Sequence, residues 1–279
     1  MAIVNPFADS LLSLSQEQKS IVVHDAQRIR SEYEKAEKIK KFWEEMDGLL
    51  HRGWTLHILA IIQKESALLE ELKKINHPSV AALEEIHKVA KENAEKIKFY
   101  LFPNELDKAF NQASLPLDRN SAHPNYKLEK GFFELHINEQ KRTARLSNYE
   151  NPKLFEIAAD IEAIVEACQR EHKRVFDRQF DSKKFLKKLR KIYQAILKED
   201  KLRDGSSVSI RRITTRLGKN EKGFRTDEFL IELSHLVSQE QLEIDGRKLD
   251  CQQTKDTDKG MFLHIEPKRY IGSILFKGN

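Results

Sequence analysis

"SIRRITTRLGKN", residues 209–220, is the stretch on which the reading of the fold turns. Ile210, Ile213 and Leu217 recur at helical spacing, Arg211, Arg212 and Arg216 take the opposite face with Thr214 and Thr215 between them, and Gly218 is expected to stop the helix. Such a helix either touches nucleic acid or is a small core helix with a solvated basic face. The segments on either side bear on that choice. Upstream, "KKFLKKLRKIYQAILK" places Phe185, Leu186, Leu189, Ile192, Tyr193, Ile196 and Leu197 in one amphipathic stripe, with Asp181 or Ser182 as its cap. Downstream, "TDEFLIELSHLVSQ" reads as a third helix capped by Thr226. β-structure follows: "LEIDGRKLD" carries Asp245-Gly246, a strong short-range hairpin signal, and "MFLHI" and "YIGSILF" read as further strands.

Three helices followed by a β-hairpin is the winged-helix order, and the last third of the chain resembles that superfamily in the order of its elements. It departs from the pattern in the connection from Leu217 to Thr226, which exceeds the 3–4-residue turn of a helix-turn-helix. The resemblance implies that the third helix enters the major groove. Here that helix carries Asp227, Glu228 and Glu232, read as facing outward, where they would repel phosphates. The expectation is therefore backbone contact of low sequence specificity through Lys184, Lys187, Lys188, Lys191, Arg211, Arg212 and Arg216, or a protein-docking use of the acidic helix. Charge supports the first. Residues 170–225 hold 19 Lys and Arg against 7 Asp and Glu, a net +12 where the whole chain carries +5. The competing reading is a solvated face on ordinary helices.

Towards the N-terminus, residues 16–50 read as a helix, with Val22, Ala26, Ile29, Tyr33 and Ala36 at steps of four and three, followed by Phe42, Trp43 and Met46. Gly48 and Gly53 are expected to bracket a turn. "WTLHILAIIQKESALLEELKKI" reads as a second helix, broken by "NHP" at 76–78, and a third keeps Val80, Leu83, Ala90, Ala94, Ile97 and Leu101 in phase. Short connections suggest an antiparallel bundle over 1–102. Residues 103–159 read as a linker region with one β-hairpin in "GFFELHINEQKRTARLS", and Asp160 as the cap of "IEAIVEACQREHKRVF". The expected fold class is mainly α with small β elements (α+β): helical bundle 1–102, linker with hairpin 103–159, and a winged-helix-like domain 160–279.

A charged fraction of 33% suits long helices with one buried stripe, because most of their circumference is wet. Two distant cysteines, Cys168 and Cys251, exclude a zinc ribbon or disulfide scaffold and fit a reducing cytoplasm. No secretory signal is expected from "MAIVNPFADSLLSLS", and the longest apolar run, 56–62, is far too short to span a bilayer. No nucleotide-binding glycine loop, metal-ligand spacing or nucleophile motif is present, so no cofactor or metal is expected. One enzyme-like pattern remains. Asp118, with Glu139 and Lys141 of "EQK", is similar to the Asp…Glu-x-Lys set of restriction-type nucleases, which bind Mg²⁺ and orient a water.

The preferred reading is a non-enzymatic accessory subunit of a multiprotein complex, with nucleic acid and another protein subunit as partners. The alternatives are a pure interaction subunit, loosely similar to the accessory subunits of bacterial SMC-like ATPases in chromosome maintenance or defence, and a metal-dependent nuclease.

Overall fold

The computed structural model describes residues 6–239, 242–256, 258–265 and 269–278, with side chains from Ser13 onward. The chain is mainly α with small β elements and divides into two units between Ile97 and Lys98.

The first unit holds α1 (Pro6–Arg52), α2 (Thr55–Lys64), α3 (Ser66–Lys74) and α4 (Ser79–Lys96). Gly48 lies inside α1 and does not help to form the turn. Gly53 alone makes it, at φ +68°, a conformation that a side chain with a Cβ rarely adopts. The expected second helix is two helices, broken at Glu65, whose φ of −95° and ψ of 22° leave the helical region. Phe42, Met46, Ile58, Ile61, Ile62, Leu68, Leu72, Leu83 and Ala90 form the core. The apolar positions further up α1 are outside it. Every side chain from Ser13 to Ala36 is exposed, Val22, Ile29 and Tyr33 by about 60% each.

The second unit begins with α5 (Phe102–Gln112). It continues with β1 (Asn125–Leu128), β2 (Phe133–Asn138), β3 (Thr143–Asn148) and β4 (Phe155–Ala158). The expected hairpin is β2–β3, paired with Leu135 opposite Leu146 and Ile137 opposite Ala144. All four of these residues are buried, as strict alternation requires of a sheet with one wet face. It is not an isolated hairpin in a linker, however. β1 and β4 flank it in one antiparallel sheet, ordered β1-β2-β3-β4. A two-stranded hairpin is marginal in water, and two more strands and a packed face supply its stability.

After α6 (Ile161–Phe176) come α7 (Ser182–Glu199), β5 (Val208–Ser209), α8 (Ile210–Asn220) and α9 (Thr226–Ser238). β6 (Glu243–Ile244), β7 (Arg247–Gln253), β8 (Met261–Leu263) and β9 (Arg269–Gly278) follow. The second sheet is ordered β5-β9-β7-β6, with β8 also on β9. The turn between β6 and β7 has Asp245 and Gly246 both at positive φ, 51° and 67°, the geometry of a two-residue hairpin turn. The stripe of α7, together with Ile210, Ile213 and Leu217 of α8 and Phe229, Leu230, Leu233 and Leu236 of α9, packs against Leu249, Ile271, Ile274 and Phe276 of the sheet.

Two boundaries differ from expectation. α8 runs through Gly218 to Asn220, because a helical glycine lowers stability without forcing a stop. Arg225, not Thr226, occupies the cap position of α9.

The start of α7 is as expected. The Asp181 side chain accepts a hydrogen bond from the Lys184 N–H at 3.0 Å. Asp181→Ala should cost about 1 kcal/mol by leaving that donor without a protein partner. Urea unfolding followed by circular dichroism would measure this, and no change in midpoint would show the cap to be dispensable.

On the buried side of α7, Arg190 is 5% exposed and forks onto Asp204 at 2.7 and 2.5 Å. That hydrogen bonding holds the Asp204 carboxyl below its usual range. The Tyr193 hydroxyl donates to the Ser206 carbonyl at 2.7 Å and accepts from the Gly205 N–H at 3.1 Å, which ties the loop after α7 to the core. Burial pushes the Cys251 thiol up to about 12 and the Cys168 thiol higher still, so both behave as packing residues.

Candidate nucleic-acid interface

The basic segment sorts into two populations. The three α8 arginines are all engaged by the protein. Arg211 donates to the carbonyls of Asp258 (3.0 Å) and Gly260 (2.7 Å) and faces Glu150 at 3.5 Å. Burial raises the Glu150 pKa, partly offset by that guanidinium. Arg212 is bidentate on Asp200, and Arg216 pairs with Glu199. On α7, Lys188 reaches Glu221 at 2.6 Å. Lys184, Lys187 and Lys191 differ: all three are exposed, and none forms an ion pair among the described residues. Lys198 continues their row and is likewise exposed and free of ion pairs among the described residues. Positions 184, 187, 191 and 198 are spaced by three, four and seven, so at 3.6 residues per turn they share one face within about 60° of arc. The structure thus separates the seven expected contact residues. Three lysines are free cations on one face, while Lys188 and the arginines are held by carboxylates or carbonyls.

The acidic residues of α9 do not face outward, which corrects the sequence reading. Asp227 is 4% exposed, accepts from Arg174 at 2.7 Å and from the Asn148 amide at 3.0 Å, and has Arg225 at 3.5 Å. Glu228 accepts from Arg174 at 2.7 Å and pairs with Arg178, which also reaches Glu232 at 3.2 Å. Buried carboxylates need such partners, and Arg174 of α6 with Arg178 just beyond its end supplies most of them. Opposite this network α9 faces the core, so of its residues only His235 and Ser238 are exposed. Its solvent-facing row, Glu228, Glu232 and His235, is narrow, and both carboxylates in it are held by arginines.

The connection from β7 to β9 is equally committed. Phe262 stacks on Tyr149 at 4.3 Å, the His264 ring packs against Phe132 and Phe176 at 5.7 and 5.4 Å, and the His264 N–H donates to Ser234 Oγ at 2.9 Å. The α6–α9 ion network is what the sequence reading missed. Its only trace there is matched spacing, arginines four apart at 174 and 178 against carboxylates at 227, 228 and 232. That match gains meaning only once the two helices are known to face each other.

Asp118, Glu139 and Lys141 are not brought together. The Asp118 carboxylate accepts from the Lys130 N–H at 3.0 Å, next to the start of β2. Glu139 and Lys141 follow the end of that strand, roughly 20 Å away for six extended residues. Glu139 instead pairs with His123 Nε2 at 2.5 Å, while Nδ1 of the same ring lies 2.9 Å from the Tyr126 hydroxyl. Burial pushes the Tyr126 pKa up to about 12, which keeps that phenol protonated. Among the described residues no group of three His, Cys, Asp or Glu is placed to hold a metal ion, and no helix is long and apolar enough to cross a membrane. No family model, curated protein or solved structure matches this chain.

Proposed function

We propose that this chain is a non-enzymatic subunit of a larger assembly whose second unit contacts nucleic-acid backbone through the exposed lysine row of α7. The observation that carries this reading is the contrast between two neighbouring helices: the α8 arginines are engaged by the protein, yet Lys184, Lys187, Lys191 and Lys198 of α7 present four free cations in a line. Lysines on one face neutralise phosphates without reading bases. A winged-helix-like reading within residues 160–279 is supported by three helices, α7, α8 and α9, packed on a sheet in which β5 and β7 flank β9. With α9 enclosed, that reading entails an unconventional use of the fold, through its first helix.

The test is fluorescence anisotropy of a labelled DNA duplex with the full chain at two salt concentrations. Binding at low salt that weakens steeply with salt is expected. Lys187→Gln with Lys191→Gln should weaken it at least 10-fold. Arg212→Gln with Arg216→Gln should weaken it less than the lysine pair does, and through the freed Glu199 and Asp200 and not through lost phosphate contacts. Absence of binding at low salt would overturn the reading.

One observation favours a second reading, a pure protein-interaction subunit such as one serving an SMC-like ATPase. The exposed Val22, Ile29 and Tyr33 lie at the four-three spacing by which helices pair. Under it, the full chain binds no duplex, and Val22→Glu with Ile29→Glu abolishes assembly while leaving the first unit folded.

A further inference from the structure

We infer that the nucleic acid engaged by α7 is double-stranded and is bound without regard to sequence. This rests on the reading of α7 as the phosphate-contacting element. The helix is a single element of 18 residues, about 27 Å long. From Lys184 to Lys198 its cationic row advances about 21 Å, the length of roughly six base pairs along a duplex axis at 3.4 Å each. A fixed array of charges suits a target whose charges are already held in fixed positions. Duplex DNA is such a target, with a persistence length of about 150 base pairs.

A single strand must be ordered on binding. Proteins that hold single strands offset that cost by stacking bases on aromatic side chains, at about 1–3 kcal/mol per base. α7 offers no such platform. Its two aromatic residues, Phe185 and Tyr193, are 5% and 0% exposed, and the side chains beside the lysine row are Gln194 and Ala195. Among the described residues of this unit the exposed aromatics, Tyr100 and Tyr149, lie in loops away from α7, and the Tyr149 ring packs against Phe262. Base reading has no source either, because the helix that would supply it is enclosed on both sides by the core and by Arg174 and Arg178. The carboxylates nearest the end of the row, Glu199 and Asp200, are engaged by Arg216 and Arg212 and do not oppose the approach of phosphate.

The experiment uses the full chain with two 30-base-pair DNA duplexes of unrelated sequence and with a 30-nucleotide oligo-dT, at 50 and 200 mM salt. Both duplexes should bind within twofold of each other and at least 10-fold more tightly than the oligo-dT at 50 mM. The plot of log affinity against log salt should have a slope near −3.6 for about four phosphates, falling to roughly half that in Lys187→Gln with Lys191→Gln. Lys88→Gln, on an exposed position of α4, should change nothing. Equal or tighter binding of oligo-dT would overturn the inference while leaving backbone contact intact, as would a more than 10-fold preference between the two duplexes. A duplex slope untouched by the lysine pair, or no binding of any probe, would remove the reading of α7 itself.

Discussion

Ile213→Asp should unfold the last third of the chain at neutral pH. Ile213 is fully buried in α8, within the cluster formed by α7, α9 and the second sheet. Truncating a buried isoleucine costs about 2–5 kcal/mol by itself. The introduced carboxylate adds the cost of a charge with no partner, several kcal/mol more unless it takes up a proton. The sum rivals the whole stability of an ordinary domain, about 5–15 kcal/mol. Because burial raises the pKa of a carboxyl, the damage should lessen as pH falls towards 5. Near-ultraviolet circular dichroism and protease resistance of residues 160–279 would read the effect. Thr215→Ala, exposed on the same helix, is the matched control and should stay within about 0.5 kcal/mol of the parent. A cooperative, protease-resistant Ile213→Asp protein would place α8 outside the core.

The second large effect is expected at Arg174. It bonds Glu171, Asp227 and Glu228 together, and Asp227 keeps 4% of its surface in water. Arg174→Ala leaves a buried carboxylate without its main cation. The expected loss is about 3 kcal/mol, the lower end of the range for breaking a buried pair, because the arginine side chain itself is 21% exposed. Arg174→Met combined with Asp227→Asn should recover at least half of that loss, since it removes the most buried of the carboxylates left unmatched and leaves only the less buried Glu171 without its cation. Urea midpoints of the two variants decide the matter. Equal losses in both would mean that the site matters for packing and not for charge.

The two predictions concern different kinds of information in the chain. Ile213 was legible from spacing: apolar residues at 210, 213 and 217 share one face of a short helix, and that face is buried. The same holds for the α7 stripe, for the β2–β3 alternation, and for Asp245-Gly246, whose turn depends on only two residues' φ angles. A helix beginning at Asp181 or Ser182 was legible for the same reason, and the structure gives the cap to Asp181, whose donor lies three residues away.

Charge was not legible in this way. The sequence presented Asp227, Glu228 and Glu232 as an acidic outer face and Arg211, Arg212 and Arg216 as a basic one. Tertiary structure decided otherwise. Asp227 finds Asn148, 79 positions away, and Arg174, 53 positions away, and Arg211 finds the carbonyl of Gly260, 49 positions away. It also decided that β1 and β4 complete the sheet around the expected hairpin, and that the regular apolar spacing of α1 from Val22 to Ala36 faces water. The physical reason is range. Helix periodicity and turn chemistry are settled by neighbours in the chain, so the sequence carries them locally. Whether a charged or apolar side chain is covered depends on which distant element arrives opposite it, and that is a property of the packed molecule alone.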